Sequence, residues 1–196
     1  MKTHALLVRA LRDNAPLFAG GEPRLHAVIE QAVTHPGRLV RAQLVYAAAV
    51  RHGLPESGAA RLASAVEYYH VASLLLDDLP CMDDATERRG RICPHLVHGE
   101  ATVILAALAL INRAYTLIGF LLPEFPPALR LPAQACLDSC LGPAGLLGGQ
   151  AADLRYAESK PSARAVLAIA LRKTGGLVSL SVLLPAVLAG ADRRDV

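Results

Sequence analysis

The chain has no C-x-x-C element, no apolar stretch long enough to read as a bilayer span, no charged-then-apolar leader and no basic stripe. Each absence removes a class of function. Four cysteines, Cys81, Cys93, Cys136 and Cys140, lack the doublets of a zinc module and are expected to be reduced thiols. The apolar runs 101–111 and 177–191 are too short, or are broken by Pro185, against the roughly 20 residues of a membrane span. The missing leader argues for a cytoplasmic protein. The formal net charge of +3 comes from dispersed arginines, so nucleic acid is not an expected partner. Strand-like alternation, internal repeats, linkers and low-complexity tracts are absent as well.

What is present is apolar and helical. Hydrophobic residues make up 53% of the 196, and the mean hydropathy is +0.35. That excess needs a core or a subunit interface. Periodicity and Pro/Gly punctuation place helices at 2–14, 24–33, 37–51, 57–79, 100–121, 128–141, 146–157, 162–173 and 176–189. The breaks fall at 52–58, 121–132 and 158–162, and Ser57 and Pro161 with Ser162 are the expected helix starts. The expectation is one all-α domain over residues 1–196.

The segment Asp77 to Gly90, DDLPCMDDATERRG, holds four aspartates and two adjacent arginines, directly after the largely apolar AVEYYHVASLLL. Acids crowded at the end of a buried helix repel one another and resist ionising unless a cation neutralises them. Oxygen ligands of this kind suit Mg²⁺, which binds through one or two carboxylates and commonly bridges to substrate phosphates. Arg88 and Arg89 supply forked donors shaped for phosphate oxygens. The pattern points to a diphosphate site. On a regular helix Asp77 and Asp83 lie roughly 600° apart and would not aim at one ion, but a bulge at Pro80 would bring Asp77, Asp78 and Asp83 together. The bland reading is an acidic helix end with solvated arginine partners. His70 lies seven residues before Asp77, two helical turns, hence on the same face.

From Glu67 to Leu110 the sequence resembles the first aspartate-rich motif and flanks of the trans-isoprenyl diphosphate synthases, the polyprenyl synthetases of farnesyl and geranylgeranyl type, in the variant with two extra residues between the acids. Gly37, Arg38 and Arg41 fit that family's G-K-x-x-R element with Arg for Lys. Gly149, Gln150 and Asp153 fit G-Q-x-x-D, and Lys173 with Thr174 fits its K-T pair. The resemblance covers about residues 20 to 191. It departs at Leu39, Leu76 and Leu108, and no second D-D-x-x-D element precedes Val196.

The resemblance implies an isoprenoid-synthase-type helical bundle, truncated at its C-terminus, and Mg²⁺-dependent head-to-tail prenyl transfer. In that reading Asp77, Asp78 and Asp83, with Asp153 as a weaker candidate, hold Mg²⁺. Arg88, Lys173 and Thr174 serve the allylic diphosphate, Gln150 is a further substrate-binding residue, and Lys173 joins the acids as a catalytic candidate. Arg38, Arg41, His70 and Arg89 bind isopentenyl diphosphate. The small Ala72 and Ser73, fifth and fourth before Asp77, imply a deep tail pocket and geranylgeranyl diphosphate as product. A homodimer or a partner subunit is expected. The alternatives are a catalytically inactive pseudoenzyme that keeps one diphosphate site, and a class I terpene cyclase, which does not need the Arg38, Arg41, His70, Arg89 set. His95 and His98 flank the motif without an assigned role.

Overall fold

The computed structural model describes residues 2–156 and 162–191, so the expected break at 158–162 lies outside the described residues except for Ser162. Among the described residues ten α-helices account for nearly all the regular structure: α1 (Lys2–Asp13), α2 (Pro23–Thr34), α3 (Val40–Arg51), α4 (Glu56–Asp77), α5 (Pro94–His98), α6 (Glu100–Leu121), α7 (Pro127–Leu141), α8 (Leu146–Leu154), α9 (Ala163–Lys173) and α10 (Gly175–Leu188). The all-α expectation holds. One correction is local: a two-residue hairpin, β1 (Glu87–Arg88) against β2 (Arg91–Ile92), follows the acidic loop. Its turn is Arg89-Gly90, both with positive φ (55° and 75°), the arrangement that lets a two-residue turn match strand twist.

The described residues fall into two compact units, one containing α1, α2 and Ala60–Phe120 and extending to Gln43, the other containing Leu44–Ala59 and the chain from Leu121 on. In the first unit α4 is buried nearly all round: Leu62, Val66, Tyr68 and Ala72 are fully enclosed. Such a helix has little solvated face on which to dispose of polar groups, so several of them find partners on neighbouring helices. Tyr68 donates its hydroxyl to the Leu11 carbonyl at 2.5 Å, which ties α4 to α1. Arg113 Nε donates to the Asn14 carbonyl at 2.7 Å and ties α6 to the end of α1. Tyr69 meets Tyr115 edge to face with ring centroids 5.2 Å apart, a geometry set by the ring quadrupoles.

By length and composition α6 with the turn after it could cross a membrane, contrary to the reading of 101–111 as too short. Its pattern is that of a core helix: Val103, Ala106, Ala107, Leu110, Ala114, Leu117 and Ile118 are buried at three- and four-residue spacing, while Ile104, Leu105, Leu108 and Tyr115 are exposed. In the second unit α10 buries Leu177, Leu180, Leu184 and Leu188 and runs through Pro185 rather than stopping there. The large apolar residues that α10 leaves exposed are Val178, Val182 and Leu183.

Candidate functional site

Helix α4 ends at Asp77, three residues before Pro80, because a residue preceding proline is pushed out of the helical region and proline offers no N–H. The chain then folds back on itself. Asp83 donates its N–H to the Asp77 carbonyl at 2.9 Å and Asp84 donates to the Leu79 carbonyl at 3.1 Å, with Asp84 at φ +48°. Two acids six positions apart thus come to the same helix end, as the expected bulge requires, and Asp83 is exposed. Asp78 goes another way: it is 3% exposed and accepts both Arg88 Nε (2.7 and 2.8 Å) and Arg88 Nη2 (2.6 Å). This forked pair fastens the hairpin to the end of α4.

Among the described residues no group of three or more His, Cys, Asp or Glu side chains is arranged to hold a metal ion. A cation that takes one or two carboxylates and completes its shell with water and phosphate oxygens is still compatible with Asp77 and Asp83. Asp78, joined to Arg88, does not belong to that set here.

A basic surface lies beside the acids. Arg41 Nη1 is 3.2 Å from His70 Nε2. Burial, then the charges of Arg41, Arg89 and Arg88, push His70 down to about 4. The imidazole is therefore neutral at pH 7, and because Arg41 can only donate, His70 Nε2 accepts. Arg89, held in the left-handed region by its turn, packs its guanidinium on Gly37, which has φ +72°; a Cβ at Gly37 would overlap it. Gly37 is thus needed both for its conformation and for the close approach. Arg38 is exposed, and its carbonyl accepts from Gln43 Nε2 at 2.7 Å.

Of these groups Gly37, His70 and Arg89 border a cleft of about 360 Å³, while Arg38 and Arg41 are not among its lining residues. Arg88, Arg89, Arg91 and His70 provide its polar side, and Val71, Leu74, Leu75 and Ile92 its apolar wall. Neither Ala72 nor Ser73 lines it: Ala72 is fully buried, and Ser73 Oγ donates to the His70 carbonyl at 2.9 Å. His95 is buried in α5 and lies outside the cleft lining, and His98 is also absent from it. Arg91 went unnoticed in the sequence, where nothing set it apart from other dispersed arginines. Glu67 was missed too. It is 1% exposed, accepts the Ala42 N–H at 3.3 Å, and is pushed up to about 7 by burial against the opposing pull of that bond, Arg41 and Arg89.

In the second unit Lys173 Nζ donates to Asp153 Oδ2 at 2.6 Å, and Gln150 is buried on α8. Thr174 closes α9 through its N–H to the Ala170 carbonyl at 3.0 Å. The glycine of the G-Q-x-x-D element has a packing reason: a Cβ at Gly149 would strike the backbone of Lys173. Gly149→Ala should therefore push α8 off the α9–α10 junction at a cost of about 1–3 kcal/mol. A lowered urea midpoint at unchanged slope is the expected observation; an unchanged midpoint contradicts the close packing.

Residues 22–196 match the polyprenyl synthetase family. The chain belongs to that family. It is 37% identical over 173 residues to a geranylgeranyl diphosphate synthase of Pantoea ananas, covering 86% of this chain and 57% of that one. It is 35% identical over 161 residues to a farnesyl diphosphate synthase of Bacillus subtilis (strain 168), covering 82% and 54%. The chain thus spans about half the length of the curated relatives it matches. An isoprenoid synthase family member of Thermotoga neapolitana DSM 4359 superposes with a TM-score of 0.84 at 26% identity, over 98% of this chain and 72% of that one. The fold is that of the isoprenoid synthases.

Proposed function

We propose that the chain carries the isopentenyl and allylic diphosphate sites of a cytoplasmic head-to-tail prenyltransferase, its two units belonging to one catalytic domain. The observation that carries this reading is the cleft, whose cationic edge and apolar wall suit a diphosphate head on a short hydrocarbon tail. Arg41, His70 and Arg89, together with Arg38, hold isopentenyl diphosphate. Asp77 and Asp83 hold Mg²⁺, which when bound neutralises the charge that grows on the departing diphosphate. Arg88 in the first unit is assigned to allylic diphosphate oxygens, and in the second unit Lys173, Thr174 and Gln150 are assigned to substrate diphosphate. For Lys173 this means exchanging Asp153 for ligand oxygens, while Arg88 offers the donors that its fork to Asp78 leaves over. We read geranylgeranyl diphosphate as the product because Ala72 and Ser73 are small. The exposed apolar residues of α6 support association with a second copy or a partner subunit.

A second reading, a chain that binds diphosphate without turning it over, is favoured by the engagement of Asp78 and Asp153 with basic residues. Incubating the chain with labelled isopentenyl diphosphate, geranyl diphosphate and Mg²⁺ separates the two: an extended prenyl product supports transfer, and binding without product supports the second reading. Arg89→Ala should weaken isopentenyl diphosphate binding by about 1.5–3 kcal/mol, the worth of a charge-assisted contact, and allylic binding by much less. Equal calorimetric losses for both ligands would overturn the division of roles.

A further inference from the structure

Helix α3 begins without a cap of its own. The first intrahelical bond runs from the Gln43 N–H to the Leu39 carbonyl at 2.9 Å, which makes Leu39 the residue at the cap position, and a leucine side chain accepts nothing. Leu39 is also 2% exposed and held at φ +51°, so water does not stand in for a cap at that side chain. Three residues on, the Ala42 N–H is a donor that an α-helix start leaves over, and its acceptor is Glu67 Oε2, delivered from α4. The acid also meets the positive end of the helix macrodipole there.

The same turn of α3 carries Arg41. Its Nε is buried without a hydrogen-bond partner among the described residues, and its Nη1 is held by His70. Glu67 and His70 are three apart on α4 and so share a face. That face grips the start of α3 twice, by a backbone N–H and by a guanidinium. Glu67 is also the buried acid on which the charges of Arg41 and Arg89 act together. Without it, two guanidiniums are drawn towards one partly desolvated place with no opposing charge.

We propose that Glu67 is a positioning residue for diphosphate binding: its carboxylate caps α3 from the neighbouring helix and so holds Arg41 against His70 with its remaining donors turned to the ligand. The proposal rests on the reading of Arg41, His70 and Arg89 as the isopentenyl diphosphate set. The test is a double-mutant cycle read by calorimetric titration of the full chain with isopentenyl diphosphate. Glu67→Gln should weaken binding about tenfold in the parent chain and less than about twofold in an Arg41→Ala background, since coupled neighbours lose their separate effects. Mg²⁺-dependent affinity for geranyl diphosphate should stay within about twofold, which general loosening of the fold would not allow. Glu67→Asp, which keeps the charge but shortens the reach, runs through the same cycle and answers the question if the Gln variant does not fold. Equal losses in both backgrounds, or no loss in the parent, overturn the proposal. If Arg41→Ala itself leaves the affinity unchanged, the underlying site reading fails, and the role of Glu67 with it.

Discussion

Replacing Asp77 and Asp83 together by Ala is expected to abolish Mg²⁺-dependent binding of an allylic diphosphate or a bisphosphonate mimic, with a loss of at least about a thousandfold. The magnitude follows from the small number of donors. Asp78 is committed to Arg88, and no group of three ligating side chains is arranged among the described residues, so two carboxylates carry the protein's share of a cation's shell. At about 2 kcal/mol for each charged contact, losing both comes to about 4 kcal/mol, or about three decades in affinity. Either single variant should fall near the middle of that range. Asp84→Asn is the control: its neighbour Asp83 is the acid returned to Asp77 by a backbone bond, and a binding change of more than about threefold in this variant would mean that the wrong acid had been chosen. An unchanged affinity in the double variant would remove the site altogether.

Most of this architecture was legible because long amphipathic or buried helices have a strong period and clear stops. Helix α6 has the expected bounds, and α1, α2 and α7 lie within a residue of theirs. The start of α3 moved from Gly37 to Val40 because Gly37 and Leu39 both adopt positive φ, and nothing in the letters G-R-L announces a left-handed leucine. The hairpin was invisible for a related reason: two-residue strands are too short to show alternation, and the only signal was Arg89-Gly90 as a two-residue turn. Helix α5 is five residues long, too short for a periodic signature. Glu67 offered a signal that was not used. A carboxylate inside a run as apolar as AVEYYHVASLLL must either meet a donor or stay protonated, and it meets the Ala42 N–H. The pairs Asp78–Arg88 and Lys173–Asp153 join residues ten and twenty positions apart, distances over which spacing rules are silent.

Arg88→Ala is the substitution expected to cost the most stability in the first unit, about 3–5 kcal/mol, because it leaves the buried Asp78 carboxylate without its partner. The side-chain exposures of the two differ widely, 4% for Asp78 and 35% for Arg88, and this makes the pair asymmetric. Asp78→Asn frees an arginine that can turn to water, so its cost should stay near 1–2 kcal/mol. Adding Asp78→Asn to Arg88→Ala should then restore part of the loss, since the double variant has no buried charge left to neutralise. The consequences reach the ligand. Arg88 pairs with Arg91 across the hairpin that carries Arg89, so releasing it from Asp78 loosens the strand that seats Arg89 on Gly37, and isopentenyl diphosphate affinity should fall with stability. Urea denaturation of the three variants checks the order. If Asp78→Asn proves as costly as Arg88→Ala, or the double variant is worse than both, the pair is not the buried-charge lock that its burial and forked geometry indicate.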